Sequence, residues 1–175
     1  MLMPLEKPNF GIRFGGLPDI NRTYDILKNM IENLQKENDR VYNLPDSKID
    51  NEPWRDVSEL MFTLKRLRFD TSHKSLIDNF NRAEKIIGAI RTSKGDNVSR
   101  LKGDFRMYLN ETEYALESIL DVFDAIESFL RKVKRPTAFM YKLMQECRSL
   151  SDKVVRAYND QRTKLVKEYE AVCNQ

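Results

Sequence analysis

Residues 98–133 read VSRLKGDFRMYLNETEYALESILDVFDAIESFLRKV. Steps of three and four residues pick out Val98, Leu101, Phe105, Tyr108, Thr112 and Ala115, and go on through Ile119, Val122, Ile126 and Phe129 to Val133. A further row, Leu109, Leu116, Phe123 and Leu130, recurs every seven residues beside it. Such spacing lays the apolar side chains along one face of a helix. A two-stranded coiled coil needs only a narrow seam, so a face three rows wide predicts a helix walled in by at least two neighbours. The stretch therefore predicts the central helix of an all-α protein.

Working outward, the same periodicity recurs. Ile20, Leu27, Met30 and Leu34 predict a first helix from Asp19 or Asn21, ending before Pro45. Asn43 to Pro53 reads as a polar loop. Trp54, Val57, Leu60 and Leu64 predict a second helix opening near Asn51. Its phase is lost around residues 69–73, where Asp70, Thr71 and Ser72 are capping types, so a break is expected there before the row resumes at Leu76. Gly95 marks a turn into the central helix, and Pro136 follows its basic end. A last helix spans Thr137 to Val172. Short connections favour antiparallel neighbours, so the expected fold is an antiparallel four-helix bundle, a single domain over residues 19–175.

Residues 1–18 break the helical pattern with Pro4, Pro8, Gly11, Gly15 and Gly16. Phe10, Ile12 and Phe14 alternate as in an extended segment, and Leu17 adds apolar surface. The segment is expected to be an extended N-terminal arm, either strapped over its own bundle or docked on another protein through Phe10, Ile12, Phe14 and Leu17.

Composition narrows the class. At 41% hydrophobic and 33% charged, the chain of 175 residues suits a soluble helical domain. No apolar run reaches the roughly 18 residues of a membrane span, and the first residues lack a secretory signal pattern. An intracellular, cytoplasmic location is expected, with the nucleus as the alternative. Cys147 and Cys173, on the same expected helix, stand about 39 Å apart and read as free thiols. The net charge of +3 is unevenly placed: −3 over residues 1–64, +6 over 65–106, −6 over 107–130 and +6 over 131–175. Blocks of alternating sign are expected to attract within the bundle, or else to present a basic face to a partner.

Motifs for chemistry are sparse. A di-iron bundle needs two Glu-x-x-His pairs, and the chain has one histidine, His73. Glu113, Glu117, Asp121 and Asp124 read as a solvated acidic face rather than ligands. Glycine-rich phosphate loops are missing, and His73 in a helix junction reads as a surface or capping residue. No cofactor, metal, small-molecule substrate or enzymatic activity is indicated. Two functions remain. The first is a scaffold or assembly subunit that meets proteins, or copies of itself, through the arm and exposed helix faces. The second is a nucleic-acid-coating subunit using Lys65, Arg66 and Arg68 with Arg100, Lys102 and Arg106, since phosphate neutralisation needs such clusters on one surface. Membrane binding is disfavoured because bundle packing accounts for the apolar faces. Phe69-Asp70-Thr71 between two helices, with an N-terminal arm and a bundle of this length, resembles coat proteins of rod-shaped RNA viruses over those few residues. Heavy Lys and Glu usage departs from that group, so the resemblance points toward an RNA-coating role without establishing membership.

Overall fold

Apolar rows at helical spacing must be covered, and the way they are covered sets the architecture. The computed structural model describes residues 16–175. Among these every regular element is a helix: α1 (Leu17–Tyr42), a single turn α2 (Asp46–Ile49), α3 (Val57–Leu67), α4 (Phe69–Thr92), α5 (Asp96–Lys132) and α6 (Ala138–Cys173). Central α5 packs against α3, α4 and α6, while α6 also meets α1 and α4. Leu109, Leu116, Phe123 and Leu130 are all buried, as are most residues of the first two rows. One continuous core runs from Ile20 to Val172.

Three of the four buried polar side chains among the described residues, Thr23, Asn79 and Thr112, are hydrogen-bonded. Buried Thr112 donates to the carbonyl of Leu109 at 2.6 Å and lies 3.1 Å from the Tyr158 hydroxyl. Buried Asn79 donates to the Ser75 carbonyl at 2.8 Å. An unpaired buried group costs about 1–3 kcal/mol, so these bonds allow a hydroxyl and an amide on apolar rows.

Three boundaries differ from the sequence reading. The first helix begins at Leu17, with Pro18 in its first turn where a missing N–H costs nothing, rather than at Asp19 or Asn21. Gly16 caps it at φ +82°, and its N–H donates to the Ala157 carbonyl of α6 at 3.2 Å. A Cβ at Gly16 would meet Gln161 Oε1 at 3.2 Å in a backbone region that side chains rarely adopt. Leu17 is thus a helical residue packed on the core, not the end of an arm. Phe10, Ile12 and Phe14 lie outside the described residues. Second, α3 opens at Val57 rather than near Asn51; Trp54 precedes it, buried and stacked on Phe129 with centroids 5.8 Å apart. Third, the expected break within residues 69–73 falls at Arg68, which adopts φ 52° and ψ 58°. Asp70, Thr71 and Ser72 belong to the start of α4, and the Ser72 N–H donates to the Arg68 carbonyl at 3.1 Å. The left-handed residue lets Leu67 and Phe69 both turn toward the core while Arg68 stays exposed.

Candidate interaction groove

The break at Arg68 leaves α3 only 11 residues long, and its contact with α1 does not close. A groove of about 640 Å³ opens between them. Ile31, Gln35 and Asn38 of α1 form one wall, and Met61, Phe62 and Lys65 of α3 form the other. Arg68 and the first residues of α4 close its end. Phe62 is 67% exposed, and the Arg66 guanidinium lies 5.7 Å from its ring centroid. A single exposed ring is ordinary on a protein surface, and Tyr42, Tyr114, Phe139 and Tyr141 are exposed as well; what sets Phe62 apart is that it lines this groove. The sequence signal was available: Phe62 falls between the core positions Met61 and Leu64, out of phase with their row.

At the same junction α4 is clasped to α1. The Tyr24 hydroxyl donates to the Asp70 carboxylate, and the Tyr24 ring stacks on His73 with centroids 4.0 Å apart. The bond to Asp70, with a smaller contribution from burial, pushes the Tyr24 hydroxyl up to about 12. Burial pushes His73 below its ordinary value, against the opposing pull of the Asp25 and Asp70 carboxylates. The cleft beside these rings holds about 10 Å³, room for about one water. His73 is therefore a half-buried packing residue between α1 and α4 rather than a surface or capping one.

The six basic candidates fall into two groups. Lys65, Arg66 and Arg68 share the lip of the groove. Arg100, Lys102 and Arg106 lie on the first turns of α5. Phe69 and Ile119 line one cleft, so the groove's end stands level with Ile119. From there Arg106 is about 20 Å and Arg100 about 28 Å further along α5. Arg100 donates to Asn97 Oδ1 at 3.2 Å, and Arg106 stands beside Tyr169 of α6.

The expected attraction between charge blocks is realised at one residue. Glu127 pairs with Arg131 at 2.9 Å and with Arg148 of α6 at 3.3 Å. Among the described residues the other acidic side chains of 107–130, all exposed, make no ion pair. No group of three or more His, Cys, Asp or Glu among the described residues could hold a metal ion. Neither cysteine is in a disulfide; Cys147 lies 3.5 Å from Met30 Sδ, and burial pushes its thiol up to about 12, which makes it a core residue rather than a nucleophile. No helix among the described residues is long and apolar enough to cross a membrane. No protein-family model, curated protein or solved structure matches the chain.

Proposed function

We propose that this chain is a non-enzymatic scaffold or assembly subunit, an antiparallel four-helix bundle whose N-terminal arm and exposed helix faces bind other proteins. The antiparallel arrangement is supported by contacts that run in opposite order along paired helices. Gly16 meets Ala157 and Met30 meets Cys147 between α1 and α6; Phe105 meets Tyr169 and Thr112 meets Tyr158 between α5 and α6. A cytoplasmic setting suits two unpaired thiols.

The observation that carries the functional reading is the groove between α1 and α3 with Phe62 exposed on its wall. Its volume suits a few anchoring side chains. Lys65 and Arg68 at its lip favour an acidic partner, and the partner that fits is an amphipathic helix with acidic flanks. Phe62→Asp should abolish capture of such a protein while leaving the helical circular dichroism unchanged. The captured protein, purified, should bind wild type and not the variant; equal binding to both rules the groove out.

Nucleic acid is the second reading, favoured by Arg66 lying over the exposed Phe62 ring. An aromatic face beside cations is a stacking platform for single strands. A labelled single-stranded RNA should then bind with a steep loss in salt, and Arg66→Glu with Arg68→Glu should weaken it. Protein free of copurifying nucleic acid, with no RNA retained at low salt, removes this reading.

A further inference from the structure

The outer face of α5 carries a second repeat. Steps of three and four residues from Arg100 through Gly103, Met107 and Tyr114 to Asp121 and Ser128 meet an exposed residue at every position. No other helix among the described residues covers this row. Its charge is polarised: Arg100 and neighbouring Arg106 stand at one end, and Glu117, Asp121 and Asp124 at the other. The middle holds two large side chains left in water, Met107 at 47% and Tyr114 at 66% exposure.

Reversed about residue 112, the row falls onto itself. Arg100 then faces Asp124, Gly103 faces Asp121, Met107 faces Glu117 and Asn110 faces Tyr114. Arg100 opposite Asp124 is the one pair of opposite charge among these four, and the end carrying Arg100 and Arg106 lies over the end carrying Glu117, Asp121 and Asp124, an arrangement that a two-fold dimer can use. Gly103 fits the same picture. A glycine inside a helix weakens it, and here a Cβ would meet nothing within 4 Å, so nothing else among the described residues calls for its small size. In the reversed pairing a second helix approaches at that point.

We infer that the outer face of α5 docks on the same face of a second copy of the chain, antiparallel and centred near residue 112. This rests on the assembly reading above and names the partner for one exposed face. The paired stretch is about 36 Å long. One helix pair of that length buries less than the roughly 800 Å² per partner of a standard interface. The dimer is therefore steered by charge, sensitive to salt and dependent on concentration.

Sedimentation equilibrium of the full chain tests it. Wild type should dimerise, more weakly as salt rises. Asp121→Lys with Asp124→Lys should dimerise at least about tenfold more weakly, and so should Arg100→Glu with Arg106→Glu. An equimolar mixture of the two variants should recover wild-type association as a heterodimer. Arg106 also stands beside Tyr169, so folding of its variant is checked by circular dichroism; Asp121 and Asp124 make no ion pair among the described residues, so their variant keeps the test intact. A monomeric wild type, variants that dimerise like it, or a mixture no stronger than its parts each overturn the inference. Phe62→Asp should dimerise normally. Lost dimerisation with Phe62-dependent partner capture intact removes this inference alone; the converse removes the groove reading alone.

Discussion

Two seams of this molecule are built from similar residues and end differently. Where α5 meets α6, the Phe105 ring lies flat on Tyr169 with centroids 4.0 Å apart and planes within 2°. Where α1 meets α3, a groove of about 640 Å³ remains, with Phe62 out in solvent. Both seams are lined by Leu, Met and aromatic residues. The difference lies in persistence of phase. Helix α5 holds its apolar rows for 37 residues and finds a neighbour at every turn, whereas α3 ends after 11 at a left-handed residue. Packing density follows the length over which the repeat holds register, more than the count of apolar side chains.

The sharpest way to break this contrast is to truncate one phenylalanine from each region. Phe123 is fully buried, so Phe123→Ala should lose about 3–5 kcal/mol through lost burial and a residual cavity. Phe62→Ala should change stability by no more than about 0.5 kcal/mol. Urea denaturation midpoints read both. Comparable losses would show that the groove is packed in solution.

How much of this could be read in advance follows the same division. The three rows of α5 announced a covered helix, and the last helix was bounded closely because Thr137 caps it, accepting from the Met140 N–H at 3.2 Å. The break before α4 was legible as a loss of phase but misplaced, because its cause is the backbone of Arg68. Arginine carries no left-handed preference, and Asp70, Thr71 and Ser72 advertise a cap that is never formed. Phe62 carried a signal, an aromatic off the phase of its helix, that the reading of the apolar rows passed over. The clasp of Tyr24 on Asp70 and His73 was not legible, since it joins residues 46 and 49 positions apart, which helical periodicity does not relate. Nor did block charges reveal that, among the described residues, Glu127 alone of the acidic block 107–130 finds a cation; charge summed along the chain does not say which carboxylate stands beside one.

The junction itself gives a smaller effect of opposite sign. A left-handed conformation costs a non-glycine residue roughly 1–2 kcal/mol, and exposed Arg68 makes no ion pair among the described residues to offset it. Glycine relieves that strain and gives back part of it as unfolded-chain entropy. Arg68→Gly should therefore stabilise by about 0.5–1 kcal/mol, read from the thermal midpoint, while Arg68→Ala should not. A destabilised glycine variant would mean that the arginine side chain holds the open seam in place.

The smallest expected effect concerns pH at the edge of that seam. Tyr24 has a folded value raised from 10.0 to about 12 because its hydroxyl donates to Asp70. The folded state thus holds the proton more tightly than the unfolded one. Its contribution is complete below about pH 10 and is lost as pH rises from there through about 12. His73 has a folded value lowered by burial, so the unfolded chain binds its proton first. That contribution is complete above 6.5 and declines as pH falls below it, because the half-buried imidazole must take on charge with part of its water removed. Both groups stand near solvent, which keeps each effect modest. The difference in urea midpoint between wild type and Tyr24→Phe should shrink as pH rises above 10, and that between wild type and His73→Gln should shrink as pH falls below 6.5. At Phe105 and Tyr169 in the closed seam, Phe105→Leu should lower stability by the same amount at pH 5.5 as at pH 7.5, since the chain's one histidine, His73, stacks on Tyr24 at the other seam. Differences that stay constant at Tyr24 and His73 would remove the clasp as the contact that joins α4 to α1.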